Sequence, residues 1–86
     1  MLAVTLFTRP GCGLCEEVKT HLTSLAPEIP HQLTEVDIRQ DATLLEKYRF
    51  IIPVVKIGDD LLAAPITAVQ LKLSLEKAAA QTPSAE

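Results

Sequence analysis

The chain has 86 residues, a net charge of −3 and 48% hydrophobic residues, enough for one domain with its own core. A domain of this size buries roughly 60% of the surface its unfolded chain exposes. No basic run is present to neutralise phosphates, which excludes a nucleic-acid binder. The longest apolar stretches, Phe50 to Val55 and Leu61 to Ile66, fall far short of the ~20 residues that cross a bilayer. Met1-Leu2-Ala3-Val4 lacks the charged start and long apolar segment of a signal peptide. These features predict a soluble, cytoplasmic, monomeric protein with no membrane partner. In that compartment a cysteine pair is more often catalytic or metal-binding than structural.

In chain order, Val4-Thr5-Leu6-Phe7-Thr8 is short, β-branched and aromatic, which predicts a buried strand. Arg9-Pro10-Gly11 breaks it. Leu14, Val18, His21, Leu22 and Leu25 then recur at helical spacing, which predicts a helix with these residues as its mostly apolar face. Glu16 and Glu17 fall in its first turn and Lys19 and His21 further along, matching the helix dipole. Pro27 and Pro30 end it. Gln32 to Ile38 alternates polar and apolar positions imperfectly and predicts a second strand. Asp41 fits an N-cap, followed by a short helix burying Leu44, Leu45 and Tyr48, and both Tyr48 and Phe50 are expected in the core. A third strand starts at or just after Pro53 and runs to Ile57. Gly58-Asp59-Asp60 turns it into the strand Leu61-Leu62-Ala63. Thr67 with Gln70 spells a capping box, opening a last helix through about Ala80 with Leu71, Leu75, Ala78 and Ala79 as one stripe.

The order βαβαββα begins with a βαβ unit, which predicts two parallel strands joined by a right-handed crossover. A hairpin and a helix follow. Together they predict an α/β fold in three layers, a four-stranded mixed sheet with helices on both faces. The domain spans 1–80, with 81–86 as a disordered tail.

The chemistry concentrates in Cys12-Gly13-Leu14-Cys15. The spacing alone also suits zinc, so its placement matters. Cys12 falls just after a strand and at the opening of a helix, where unpaired N–H groups and the helix dipole favour an anion and lower a thiol's pKa. The thiolate is the attacking species in disulfide exchange, and Cys15, one turn on, is placed to resolve the mixed disulfide. Gly11 and Gly13 clear side chains from around the nucleophile. A structural zinc site needs four ligands, and only His21 and His31 remain beside the cysteines. Redox catalysis is the favoured reading; metal binding, an inert reduced pair and a non-catalytic adaptor remain the alternatives.

Val4 to Cys15, VTLFTRPGCGLC, resembles the opening of glutaredoxins and glutaredoxin-like proteins. Val36-Asp37-Ile38 followed by Leu44-Leu45-Glu46-Lys47-Tyr48, and then Ile51-Ile52-Pro53-Val54-Val55, are similar to later family segments in the same order, covering Val4 to about Ala80. The resemblance implies a thioredoxin-like fold and a dithiol–disulfide oxidoreductase acting on protein or small-molecule disulfides, with Cys12 and Cys15 catalytic and no bound cofactor. It also implies a cis bond at Ile52–Pro53 facing the cysteines, with the N–H and C=O of Ile52 turned toward an extended substrate. Arg9 and Arg49 fall where the family often places basic residues that pair with glutathione carboxylates, although as residue types they are more often solvated. Thr67 and the helix-start N–H groups beside it could contribute to the same end of the ligand. The family's alternative role, an iron–sulfur cluster held between two subunits with glutathione, is the second reading. Two stretches depart from the pattern. Gly13-Leu14 stands between the cysteines where glutaredoxins typically carry Pro-Tyr, and Ala63-Ala64-Pro65-Ile66-Thr67 replaces the Gly-Gly-x-Asp of glutathione binders. Glutathione is therefore expected to be a weak ligand and a poor reductant, leaving a thioredoxin-reductase system as the other source of electrons.

Overall fold

The first strand alternates its side chains across the sheet, as pleating requires, and this sets up two cores. In the computed structural model, which describes residues 1–81, β1 (Leu2–Thr8) turns Val4 and Leu6 to one face and Phe7 to the other. α1 (Gly13–Leu25) crosses over to β2 (His31–Asp37), which pairs parallel with β1. A single 3₁₀ turn (Ile38–Gln40) and α2 (Ala42–Tyr48) lead to β3 (Val54–Ile57), which returns antiparallel beside β1. β4 (Asp60–Ala63) and α3 (Ala68–Gln81) complete the chain. The strand order is β2-β1-β3-β4, the mixed sheet expected from the sequence.

The larger core lies beneath α1 and α3: Val18, Leu22, Leu71, Leu75 and Ala78 pack on Val4, Leu6, Val55 and Ile57. On the opposite face Ile38, Tyr48 and Val54 are buried, with Phe7, Leu44 and Leu45 against them. Truncating a fully buried leucine such as Leu22 to alanine costs about 2–5 kcal/mol. The half-exposed ion pairs Lys19–Glu35 and Lys72–Glu28 contribute about 0–1 kcal/mol each, so packing dominates the fold. Asp41 caps α2 as expected, its carboxylate accepting from the N–H groups of Thr43 and Leu44. The Thr67–Gln70 capping box also forms, with both reciprocal bonds present.

Several elements differ from expectation. β2 stops at Asp37, because that carboxylate accepts the Arg39 N–H and starts the 3₁₀ turn, which buries Ile38. Leu14 is exposed, since the buried stripe of α1 runs through Cys15, Val18 and Leu22 and Leu14 lies a helical step away from it. Phe50 is 84% exposed: Tyr48 takes the core position at the end of α2, and Phe50 instead lies against the Arg49 guanidinium, 4.6 Å from ring centroid to Cζ. In α3 the buried position beside Leu75 belongs to Ser74 rather than Ala79. Gln81 ends α3, one residue past the expected domain boundary; the rest of the expected tail, 82–86, lies outside the described residues. Among the described residues no helix is long and apolar enough to cross a membrane.

Asp60, expected in the hairpin turn, is the first residue of β4, and the turn itself relies on Gly58 at φ 57°. Its carboxylate ties the hairpin to α3, accepting from the buried Ser74 hydroxyl at 2.8 Å and from Lys77 Nζ at 3.0 Å. Those two donors, Ser74 foremost, hold the Asp60 carboxyl below its ordinary value of 3.8. The stabilisation is therefore complete above that ordinary value and is lost as pH falls through the lowered one. Asp60→Asn should unfold at a lower temperature than the wild type near neutrality, and the gap should shrink on acidification. Thermal melts across the acid range test this; a gap that stays constant with pH contradicts it.

Candidate active site

Arg9-Pro10-Gly11 carries the chain from β1 into α1, with Gly11 at φ 79°, a conformation other residues adopt at a steric cost. Cys12 is then the N-cap of α1, in extended backbone, and its sulfur accepts the Cys15 backbone N–H at 3.2 Å. A side-chain acceptor at this position satisfies one of the orphan donors of the helix start. Cys12 and Cys15 are joined as a disulfide, Cα atoms 5.2 Å apart. The two differ in access: Cys12 is half-buried, whereas Cys15 is 1% exposed. A Cβ placed on Gly11 or Gly13 would meet no other atom within 4 Å, so the approach to Cys12 is open.

Leu14, between the cysteines, shares a groove with Glu17, Val18, Pro53, Ala64, Pro65 and Ile66. Pro53 is thus brought beside the helix start, and the Ile52–Pro53 bond is cis, as is Ala64–Pro65. The backbone of Ile52 differs from expectation. Its N–H donates to the Tyr48 carbonyl at 3.0 Å, because the chain leaving α2 continues one more helical hydrogen bond. Only its carbonyl is left for a substrate strand.

The remaining expected contacts disperse. Arg9 lines a depression with Thr8, Pro10, Glu16, Glu35 and Asp37. Arg49 lines another with Ala42, Leu45, Glu46 and Phe50. The carboxylates around Arg9 include Asp37, held below the usual carboxylate range chiefly by the Arg39 side chain, so Arg9 sits in an acidic setting. Thr67 uses its hydroxyl and its N–H within the capping box, while its neighbour Ile66 lines the groove. Leu14, Glu17, Pro65 and Ile66 join the site without having been expected there from sequence. The signal for them in the sequence is the apolar Ala63-Ala64-Pro65-Ile66 run, which stands where glutathione binders carry a polar motif.

A strand-to-helix cysteine pair beside a proline-bearing segment, on a β2-β1-β3-β4 sheet, defines a thioredoxin-fold protein. Residues 3–78 match the Glutaredoxin-like domain (DUF836), and the chain belongs to that family. Among solved structures it is similar to a structural-genomics target protein from X. campestris, with 28% identity over 86% of this chain and 96% of that one and a TM-score of 0.71. It shares its fold with oxidized thioredoxin O2 from Arabidopsis thaliana, at 21% identity over 90% and 74% of the two chains and TM-score 0.68. Mitochondrial thioredoxin 3 from Saccharomyces cerevisiae, also oxidized, matches at 20% identity over 88% and 77%, with TM-score 0.66. This fold with a cysteine pair that closes as a disulfide supports a redox function.

The difference in access yields a direct expectation. In the reduced protein a bulky alkylating reagent should label Cys12 well before Cys15, read by peptide mass mapping after a short pulse. Equal labelling, or faster labelling of Cys15, contradicts the burial described here.

Proposed function

We propose that the protein is a dithiol–disulfide oxidoreductase that reduces disulfides of proteins or small molecules. The observation that carries this reading is the half-buried Cys12 at the start of α1, its sulfur accepting the Cys15 N–H, with its disulfide partner Cys15 fully buried. The Cys12 thiolate attacks one sulfur of the substrate disulfide; a mixed disulfide forms, and the other substrate sulfur leaves as a thiolate and takes up a proton. Cys15, losing its proton, then attacks Cys12 and expels the second substrate thiolate. The Cys12–Cys15 disulfide results, and two electrons have passed to substrate. A thiol or dithiol reductant reverses these steps to regenerate the enzyme, as fits a cytoplasmic setting.

Cys15→Ser should accumulate a mixed disulfide with substrate and lose turnover, whereas Cys12→Ser should form no adduct and be inactive. Intact mass spectrometry after incubation with a disulfide substrate distinguishes the two, and the opposite pattern reverses the assignment.

Glutathione is proposed to be a poor reductant. The segment after β4 presents Ala64, Pro65 and Ile66, and Arg9 lies among carboxylates that oppose a second set of carboxylates. Titrating glutathione into the protein should leave the resonances of Ile52, Ile66 and Thr67 nearly unmoved at concentrations that saturate a dedicated site. Saturable shifts at low concentration would show that glutathione is a ligand after all.

A further inference from the structure

The groove beside the cysteines has a composition that specifies what enters it. Its volume is about 220 Å³, below the ~300–1,000 Å³ of a small-molecule site, so it suits side chains of a passing polypeptide better than a whole small ligand. Leu14, Pro53, Pro65 and Ile66 supply apolar walls, and Leu14 is 56% exposed. The two proline-bearing segments are tied together, since the Ala64 N–H donates to the carbonyls of both Ile51 and Pro53, at 3.2 and 3.1 Å. The groove is therefore built before anything binds.

One charged group, Glu17, lines it. Its neighbours are differently placed: Lys19 is engaged by Glu35 at 3.0 Å, and the Glu17 carboxylate makes no ion pair or side-chain hydrogen bond among the described residues. An unpaired carboxylate on the wall of an apolar groove favours a cation on whatever occupies it and disfavours an anion. Backbone pairing cannot supply the selectivity alone, because the Ile52 N–H is already donated to Tyr48 and only one arm of a strand-like contact remains.

We propose that this groove selects cationic polypeptide disulfides, holding an apolar side chain adjacent to the reacting cysteine against Leu14, Pro53, Pro65 and Ile66 and a lysine or arginine against Glu17. The assignment rests on the dithiol-exchange reading and names its substrate class. The same features turn away glutathione, whose net charge is negative and which offers no apolar side chain of that size.

The test uses disulfide-linked peptides with leucine next to the cysteine and lysine, glutamine or glutamate two positions further on. For the wild type, kcat/KM should fall in that order, by about threefold from lysine to glutamine, the size of one exposed ion pair, and added salt should flatten the order. Glu17→Gln should abolish the order and Glu17→Lys should invert it. Leu14→Ser should lose the advantage of leucine peptides over serine peptides while keeping the charge order. Both positions are exposed, and circular dichroism confirms that the variants fold. Equal kcat/KM across the charge series, or an order that Glu17→Lys leaves intact, overturns the groove assignment and leaves dithiol exchange standing. A wild-type protein that reduces none of the peptides overturns the exchange reading, and the groove assignment with it.

Discussion

The hydrogen bond from the Cys15 N–H to the Cys12 sulfur is the interaction on which the site depends. It exists because β1 delivers the chain to the start of α1 through Arg9-Pro10-Gly11, leaving Cys12 as the N-cap. The same helix then places Cys15, Val18 and Leu22 at buried positions. One element thus gives two cysteines different surroundings: a partly exposed helix start with the Cys15 N–H on its sulfur for the first, and the core for the second. Packing of α1 against the sheet and α3 keeps that difference fixed.

The electrostatics at this junction are opposed, and their sizes decide the outcome. Once the disulfide is reduced, a hydrogen bond from the Cys15 N–H to a thiolate at Cys12 would contribute about 1.5–3 kcal/mol and the helix dipole about 0.3–1 kcal/mol. Glu16 and Glu17 in the next positions oppose a thiolate, but both are exposed, so solvent and salt screen their repulsion. We propose that in the reduced protein the donors at the helix start outweigh that repulsion. The segment after β4 is apolar, so the cysteine pair stands beside an apolar groove.

Most of the architecture was legible because periodicity and turn chemistry agreed along the chain. Val4 and Leu6 against Phe7, Asp41 as a cap and Thr67 with Gln70 each signalled an element that formed. The misplacements share one cause: local pattern does not report which neighbour covers a residue. Leu14 has helical spacing to Val18, yet it lies between two cysteines at an uncovered helix start. Phe50 is apolar, yet it follows the end of α2 and lies exposed against the Arg49 guanidinium. Ser74 is polar but buried, because a carboxylate fourteen residues earlier accepts its hydroxyl. At the site, Cys12, Cys15 and Pro53 were readable from motif order, whereas Glu17, Pro65 and Ile66 emerge only when α1 and the segment after β4 come together in space. Arg9 and Arg49 show the converse, since similar residues in suggestive places end up in separate depressions.

We propose that Cys12, as the N-cap of α1, becomes a stabilised thiolate when the disulfide is reduced. Ultraviolet thiolate absorbance of the reduced protein, followed across pH in the wild type and in Cys15→Ser, tests it most directly. The expected result is a Cys12 ionisation midpoint below that of a free cysteine, retained in Cys15→Ser because the donor there is the backbone N–H and not the thiol. A midpoint at or above the free value in both proteins would contradict the claim.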